Sequence, residues 1–584
     1  MSVSRSLISV LVLVGAQLTL MHAAETVAAG VPAPLVAAGH FVDCQSGNDA
    51  NTGTSAANPW KTVSMVNRSI SATGADVWFK TGTTCTEPLT VDWNGTADDH
   101  AIIGSYYVSS GTAYRLTPDN PTAFPTEYTW SNGVRATLRG TYNASCSKSL
   151  SGGKVNPSTC AVNEATAIPK SEWTPMISLS CDYCDAQSMR MLDSAGRGIS
   201  VGPSPGTNAF VHSTHRIIDN DIGPTAQDAL DLQGTHHDFV SGNTFHDSNV
   251  GTTRGDGLAS FGAPTVGNFA PEVIGGTASV YNDIDTLLEK NSFINGWGEG
   301  LIISQVGHVI VRGNRLSGSG AVGGIYTQTC SKCVYEYNLI WGGKPTDHTA
   351  ATGYGIGIVA EDAYGKLPET DIIIRGNMVA HSSNCIIVDP EAGNTAAEIR
   401  LNIRAYNNTC VDMTEGIFVR PSLTAANIGA VGIHFRNNIG FNESGAKTLC
   451  AAPRLTNVDF DYNLWGSIPD DSDCRGTHDT TPGNPLLTGS NFTTKTSYTT
   501  PPSIADFVLR AGSPARHSGT PLVSTILSVV DYPVSTNMAY PCTTFDLKGS
   551  SIDAACADRA ATSPNLGALE GEGNQASNYV LTID

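Results

Sequence analysis

The feature that most constrains this chain is an Asn that closes one short alternating apolar run after another. The runs "FVSGN", "HVIVRGN", "DIIIRGN", "GIHFRNN" and "DFDYN" end on Asn243, Asn314, Asn377, Asn438 and Asn463, and Asn220, Asn291, Asn338 and Asn408 close similar runs. Successive intervals are 23, 48, 23, 24, 39, 31, 30 and 25 residues, which is one unit of about 23, one double unit and several units carrying insertions. Such a period marks a solenoid. The runs are short, β-branched and of period two, so they read as strands rather than helices.

A second strand precedes each Asn strand, in "DALDLQ" (228–233), "DGLASF" (256–261), "EGLIIS" (299–304), "GGIYTQ" (323–328), "YGIGIV" (354–359), "NCIIVD" (384–389) and "EGIFVR" (415–420). "RGISVG" (197–202) fits the same frame. Leu or Ile holds the third place in every copy and is expected to point inward, which turns the fourth and sixth places outward. A coil of this length with two or three short strands fits a parallel β-helix, whose coils stack about 4.8 Å apart. Stacked at one turn, the Asn amides can donate and accept along the axis and so satisfy the turn backbone.

In these residues the chain resembles the pectate-lyase-like superfamily of right-handed parallel β-helix proteins. The entry segment "FVDCQSGNDANTGTSAANPWKTV" (41–63) and the late segments "FVLRAGSPARHSG" and "PNLGALEG" resemble the first and last coils of its secreted members. The resemblance implies an all-β, right-handed parallel β-helix, and members are mostly polysaccharide lyases, hydrolases and epimerases. The expected order is a signal peptide (1–24), a linker (25–40), an N-terminal cap and first coils (41–110), and an irregular insertion (111–175). The central coils (176–465) and a closing C-terminal segment (466–584) follow. Both stack ends need covers, because an open end recruits other strands.

Arg5 followed by the apolar stretch Leu7 to Leu20 reads as a secretory leader, and no later stretch is long and apolar enough to cross a bilayer. The expectation is an exported monomer, extracellular or periplasmic. Fourteen cysteines suit an oxidising compartment. They fall into near pairs, Cys146/Cys160, Cys181/Cys184, Cys330/Cys333, Cys385/Cys410, Cys450/Cys474 and Cys542/Cys556, which leaves Cys44 and Cys85. Two C-x-x-C units could hold zinc, but their separation and the export signal favour disulfides. A formal charge of −20 argues against a nucleic-acid partner and means that an anionic substrate needs a local cation.

The first places of the stacked strands read Arg197, Asp228, Asp256, Glu299, Gly323, Tyr354, Asn384 and Glu415. Acids in consecutive coils, roughly 5 Å apart, raise one another's pKa unless a cation lies among them. Ca²⁺ held by Asp228, Asp231, Asp256 and Glu299 is one such cation, and Arg197 is another. The alternative is that each acid only caps a Gly turn. Arg254, His237 and His246 are candidate bases, while Arg197, Trp297, Tyr326 and Gln328 are candidate substrate contacts. Trp341 is a further aromatic that either meets sugar or packs at a coil edge.

Eliminative cleavage of a uronic-acid polymer needs the substrate carboxylate neutralised and a base for the C5 proton. Hydrolysis needs two carboxyls, one of them protonated. The resemblance places lyase chemistry on an acidic polysaccharide first. The polygalacturonase-like set of Asn-Thr-Asp, Asp-Asp, Gly-His-Gly and Arg-Ile-Lys is missing, which lowers the hydrolase alternative. A non-enzymatic polysaccharide-binding β-helix is the third class.

Overall fold

Three short strands and three corners make each coil, and the corners set the shape. The computed structural model describes residues 34–35, 39–121, 123–140, 150–151, 154–155, 174–202, 212–248, 265–267, 282–296, 299–318, 323–341, 353–359, 369–389, 400–413, 416–419, 432–442, 450–451, 457–469, 472–481, 483–489, 492, 502–516 and 518. A first face carries strands such as Leu230–Gln233 and Tyr354–Val359, and a second carries the Asn-closed runs such as Phe239–Ser241 and Ile373–Arg375. Glu299–Arg312 runs through the corner between them, so both faces belong to one 26-stranded sheet. The third face is a separate 12-stranded sheet with members such as Thr244–His246 and Met378–Ala380. Apart from one short hairpin next to the cap and another at 150–155, all strand ladders are parallel, giving the right-handed parallel β-helix expected from the Asn period.

Inward residues stack by type. On the first face Ile199 pairs with Leu230, Leu301 with Ile325, and Ile325, Ile356, Ile386 and Ile417 follow in register, all within the core. Burying each such side chain stabilises by about 1.5–3 kcal/mol.

The Asn residues form one continuous ladder. From Asn220 to Asn438 each Nδ2 donates to the Oδ1 of the next Asn at 2.9–3.1 Å, and each backbone N–H donates to that same oxygen at 2.9–3.0 Å. The second Nδ2 hydrogen goes to a carbonyl of the preceding coil, as from Asn314 to Leu288 at 3.0 Å. Every amide is thus filled on both sides while wholly buried. At the start of the ladder the Met189 N–H donates to Asn220, and at its end the Asn463 N–H donates to the Asp479 carboxylate at 2.8 Å.

The residue before each rung explains the "RGN" spelling. Asp219, Gly242, Lys290, Gly313, Tyr337, Gly376, Asn407, Asn437 and Tyr462 all have φ between 54° and 66°, in the left-handed region. Gly carries this without a Cβ clash, and the others accept its cost for the sharp corner. This corner is two residues long in every coil from 219 to 463, so all insertions fall elsewhere.

Helix Val63–Ser69 covers the first coils, with Thr62 accepting from the Met65 N–H and with Val63 and Val66 buried. Residues 123–140 do not form a free lobe. Ala136–Arg139 is a strand of the third face, paired with Met189–Leu192. Ahead of it, Tyr128 bonds Asp219, Arg135 lies 4.2 Å over Trp130, and Glu127 reaches Arg315 at 3.4 Å, so this strap runs along the Asn corner across several coils. Farther along, Leu487, Phe492 and Phe507 pack on Leu339, Trp341, Met378 and Ile439.

Cys181–Cys184, Cys330–Cys333 and Cys385–Cys410 are disulfides, and Cys474 is also oxidised. The two cysteines left over in sequence, Cys44 and Cys85, bond each other across 41 residues. Residues 1–33, with the expected leader, and Cys146, Cys160, Cys542 and Cys556 lie outside the described residues.

One register expectation falls on 256–261, which lie outside the described residues; the strand paired with Leu230–Gln233 is Thr265–Gly267, through Asp231 to Thr265 and on to Ile302. The stretch "GDGLASFGAPTVGNF" offers two similar apolar triplets within the long 48-residue unit, and the later one pairs.

Asn314→Leu should remove four hydrogen-bonding positions from the ladder and leave buried partners unpaired. The expected cost is on the order of 3 kcal/mol, since each unsatisfied buried group costs about 1–3 kcal/mol. Urea denaturation checks this, and a shift of a few tenths of a kcal/mol would deny the ladder its structural role.

Candidate functional site

The strongest concentration of charge on the first face is built at the bend that leads into its strands. The Gly198 N–H donates to the Asp228 carbonyl at 3.1 Å, which sets Arg197 one coil from Asp228. A Cβ at Gly198 would lie 2.5 Å from the Ala229 carbonyl oxygen, so the close approach needs Gly there. The Arg197 Nε is 3.0 Å from Asp231 Oδ2 and 3.6 Å from Asp228 Oδ2. Glu299 lies near enough to Asp228 to act on its charge. All three acids are buried.

Burial, together with Asp231 and Glu299, holds the Asp228 carboxyl well above the ordinary carboxylate range against the pull of Arg197. Burial opposes the charge on Arg197, yet Asp231 and Asp228 keep its pKa above the ordinary value. The cluster therefore combines a fixed cation with a carboxyl that favours its protonated form. Asp228 Oδ1 and both ends of the Gln227 side-chain amide are buried without a hydrogen-bond partner. Such unsatisfied polar groups invite a polar ligand. Gln227 had no sequence signal beyond its place beside Asp228.

The structure thus brings together Arg197, Asp228, Asp231 and Glu299. Asp256, Arg254 and Trp297 lie outside the described residues, as does Glu415. Tyr326 follows Ile302 in register and packs with Ile302, Val359 and Tyr354, three coils beyond Asp231. Gln328 pairs with Ser304 and is buried in the neighbouring column.

His237 occupies the corner after the Asp231 strand with φ 59°, 3.4 Å from Asp285 and bonded to His236. His246 belongs to another place altogether. It lies on the third face, with Nε2 3.2 Å from Asp221 and Nδ1 3.0 Å from Asp247. Against burial, these two carboxylates push it up to about 9, which favours its protonated form at neutral pH. Trp341 is buried beneath the C-terminal segment and packs at the coil edge.

Among the described residues no three His, Cys, Asp or Glu side chains converge to hold a metal ion. The expected Ca²⁺ ligands Asp228 and Asp231 instead flank the Arg197 guanidinium. The described part of that quartet does not fit Ca²⁺, because a positive side chain already stands at it.

The stacked coils define the class: in architecture the chain is a right-handed parallel β-helix. Residues 193–365 match the family described as the right handed beta helix region. No curated protein matches the chain. Among solved structures it is similar to a pectate lyase at 13% identity, over 91% of this chain and 96% of that one, with a TM-score of 0.46. It is similar to a lacto-N-biosidase from Eubacterium ramulus at 11% identity (72% and 67% covered, TM-score 0.43). A rhamnogalacturonan lyase is similar at 11% identity (81% and 96% covered, TM-score 0.41).

The His246 network predicts a pH dependence of stability. A histidine whose folded pKa is raised stabilises fully below its unfolded value near 6.5, and that stabilisation fades as pH rises through about 9. Melting temperature should fall over this window, and His246→Gln should flatten the fall. An equal fall in the variant would assign it to other groups.

Proposed function

We propose that the chain is an exported, monomeric carbohydrate-active enzyme, a polysaccharide lyase that cleaves a uronic-acid-containing polysaccharide from the first face. The single observation that carries this reading is Arg197 fixed between Asp228 and Asp231, with Asp228 biased toward its protonated form. No helix among the described residues is long and apolar enough to cross a membrane.

In this reading Arg197 faces the substrate carboxylate, which lowers the cost of charge building on that group when the C5 proton leaves. A carboxylate, Asp231 or Glu299, takes the proton, with Arg254 and His237 the remaining sequence candidates. The C4–O bond breaks, a C4–C5 double bond forms, and Asp228 gives its proton to the departing oxygen. No step requires Ca²⁺.

The same protonated Asp228 beside other carboxyls also suits glycoside hydrolysis, in which one carboxyl acts as general acid. The two chemistries differ in their products. Incubation with a panel of uronic-acid polysaccharides, followed by ultraviolet absorbance and reducing-end assay, separates them. A chromophore supports elimination, while new reducing ends without it support hydrolysis. Asp228→Asn and Arg197→Gln should each lower kcat by about 100-fold or more, the usual range for an acid or an electrostatic stabiliser, with melting little changed in Asp228→Asn and lowered in Arg197→Gln, which strips buried carboxylates of their cation. Chelation should leave activity intact. Full activity in both variants removes the site from this cluster, and loss on chelation restores a role for Ca²⁺.

A further inference from the structure

The outward side of the second face carries a row of ion pairs, from which one described arginine is left out. Glu289, Arg312, Glu336 and Arg375 follow one another in register. Arg312 pairs with Glu289 at 2.8 Å, and the Arg375 Nε donates to Glu336 at 2.7 Å. In later coils Arg436 gives two hydrogen bonds to Asp459 Oδ2 at 2.9 and 3.2 Å, and His434 holds the other oxygen of the same carboxylate.

Arg404 is the exception. It follows Ile373 in register and precedes His434, diagonal to Arg436. Only 5% of the residue is exposed, yet its Nε and Nη1 have no hydrogen-bond partner. Asp371 is the nearby acid, but Asn402 donates to one of its oxygens at 2.6 Å and Thr370 to the other at 3.1 Å. Asp459 is engaged by Arg436 and His434.

A guanidinium withdrawn from water without a counter-charge is heavily penalised, and a second guanidinium beside it adds to the penalty. Burial and Arg436 pull the Arg404 pKa down to about 10. Asp371 and Asp459 balance the two arginines in charge, but neither accepts a hydrogen bond from the Arg404 Nε or Nη1. Arginine is also the side chain best matched to planar oxyanions.

We propose that Arg404, supported by Arg436, forms a non-catalytic oxyanion site on the second face that takes the carboxylate of a uronic acid residue in a glycan chain. The choice of a uronate rests on the acidic-polysaccharide reading above; the oxyanion site does not. It stands on a different face from Arg197 and Asp228, so it would hold a polymer without touching the bond being cleaved.

The full exported chain is titrated by calorimetry with an oligogalacturonate, a neutral oligoglucan of the same length, and sodium sulfate at matched ionic strength. To silence turnover, Asp228→Asn serves as the background. The oligogalacturonate should bind with Arg404 intact, and Arg404→Met should weaken it by about tenfold or more, while the neutral oligomer binds neither protein. Arg404→Gln, which keeps a polar group, guards against a folding artefact and should weaken binding likewise. Sulfate binding that depends on Arg404 without oligogalacturonate binding would keep the oxyanion site and overturn the uronate. No Arg404-dependent binding of any anion would overturn the site, even if the first-face variants behave as expected.

Discussion

The stack of buried Asn amides is the interaction on which the rest depends. A β-helix has no helix-like repeat inside one coil to fix where the next coil begins. Register must come from contacts between coils, and a slip of one residue would turn every inward side chain outward. Each Asn in the ladder fixes it twice, through its own amide and through the backbone of the rung before it. The columns of Leu and Ile, and the outward columns of charge, inherit their alignment from that corner. The ladder ends where an amide is replaced by the Asp479 carboxylate, which accepts as an Asn oxygen does and also receives the Trp465 indole N–H.

Much of this was legible in sequence because it is periodic. Asn220 to Asn463 all take the expected places, and Ile199, Leu230 and Leu301 point inward as their third position implied. Where period gives way to insertion, legibility fails for a physical reason. Both 256–261 and 265–267 offer small and apolar residues in alternation, and only long-range pairing sets Val266 beside Leu232. Cys44 and Cys85 looked unmatched because their bond joins the cap to the first coils rather than neighbours in sequence. Trp341 was left open between sugar contact and coil-edge packing because the segment that buries it begins more than a hundred residues later.

The candidate site was legible in part. Stacking the first positions placed Arg197 over Asp228, and the structure keeps that juxtaposition. The same logic spread candidate bases over sequence neighbours of Asp231, and this is where it fell short. In a coil only about 23 residues around, fifteen residues carry the chain from Asp231 on the first face to His246 on the third. Closeness in sequence within a β-helix often means separation around its circumference, whereas residues one period apart are neighbours. Arg197 and Asp231 illustrate the second case.

The two-residue corner has a mechanical consequence. Because it tolerates no insertion, it leaves a straight edge along the body, and the strap from Phe124 to Arg135 lies on that edge. The strap touches Asp219 near one end of its span and Arg315 near the other, so it bridges coils that otherwise meet only through their nearest neighbours. A plain solenoid can fray coil by coil from an end. Here the early coils are bound like pages in a spine, and amide hydrogens from Met189 to Ser317 are expected to exchange as one cooperative block rather than as a gradient.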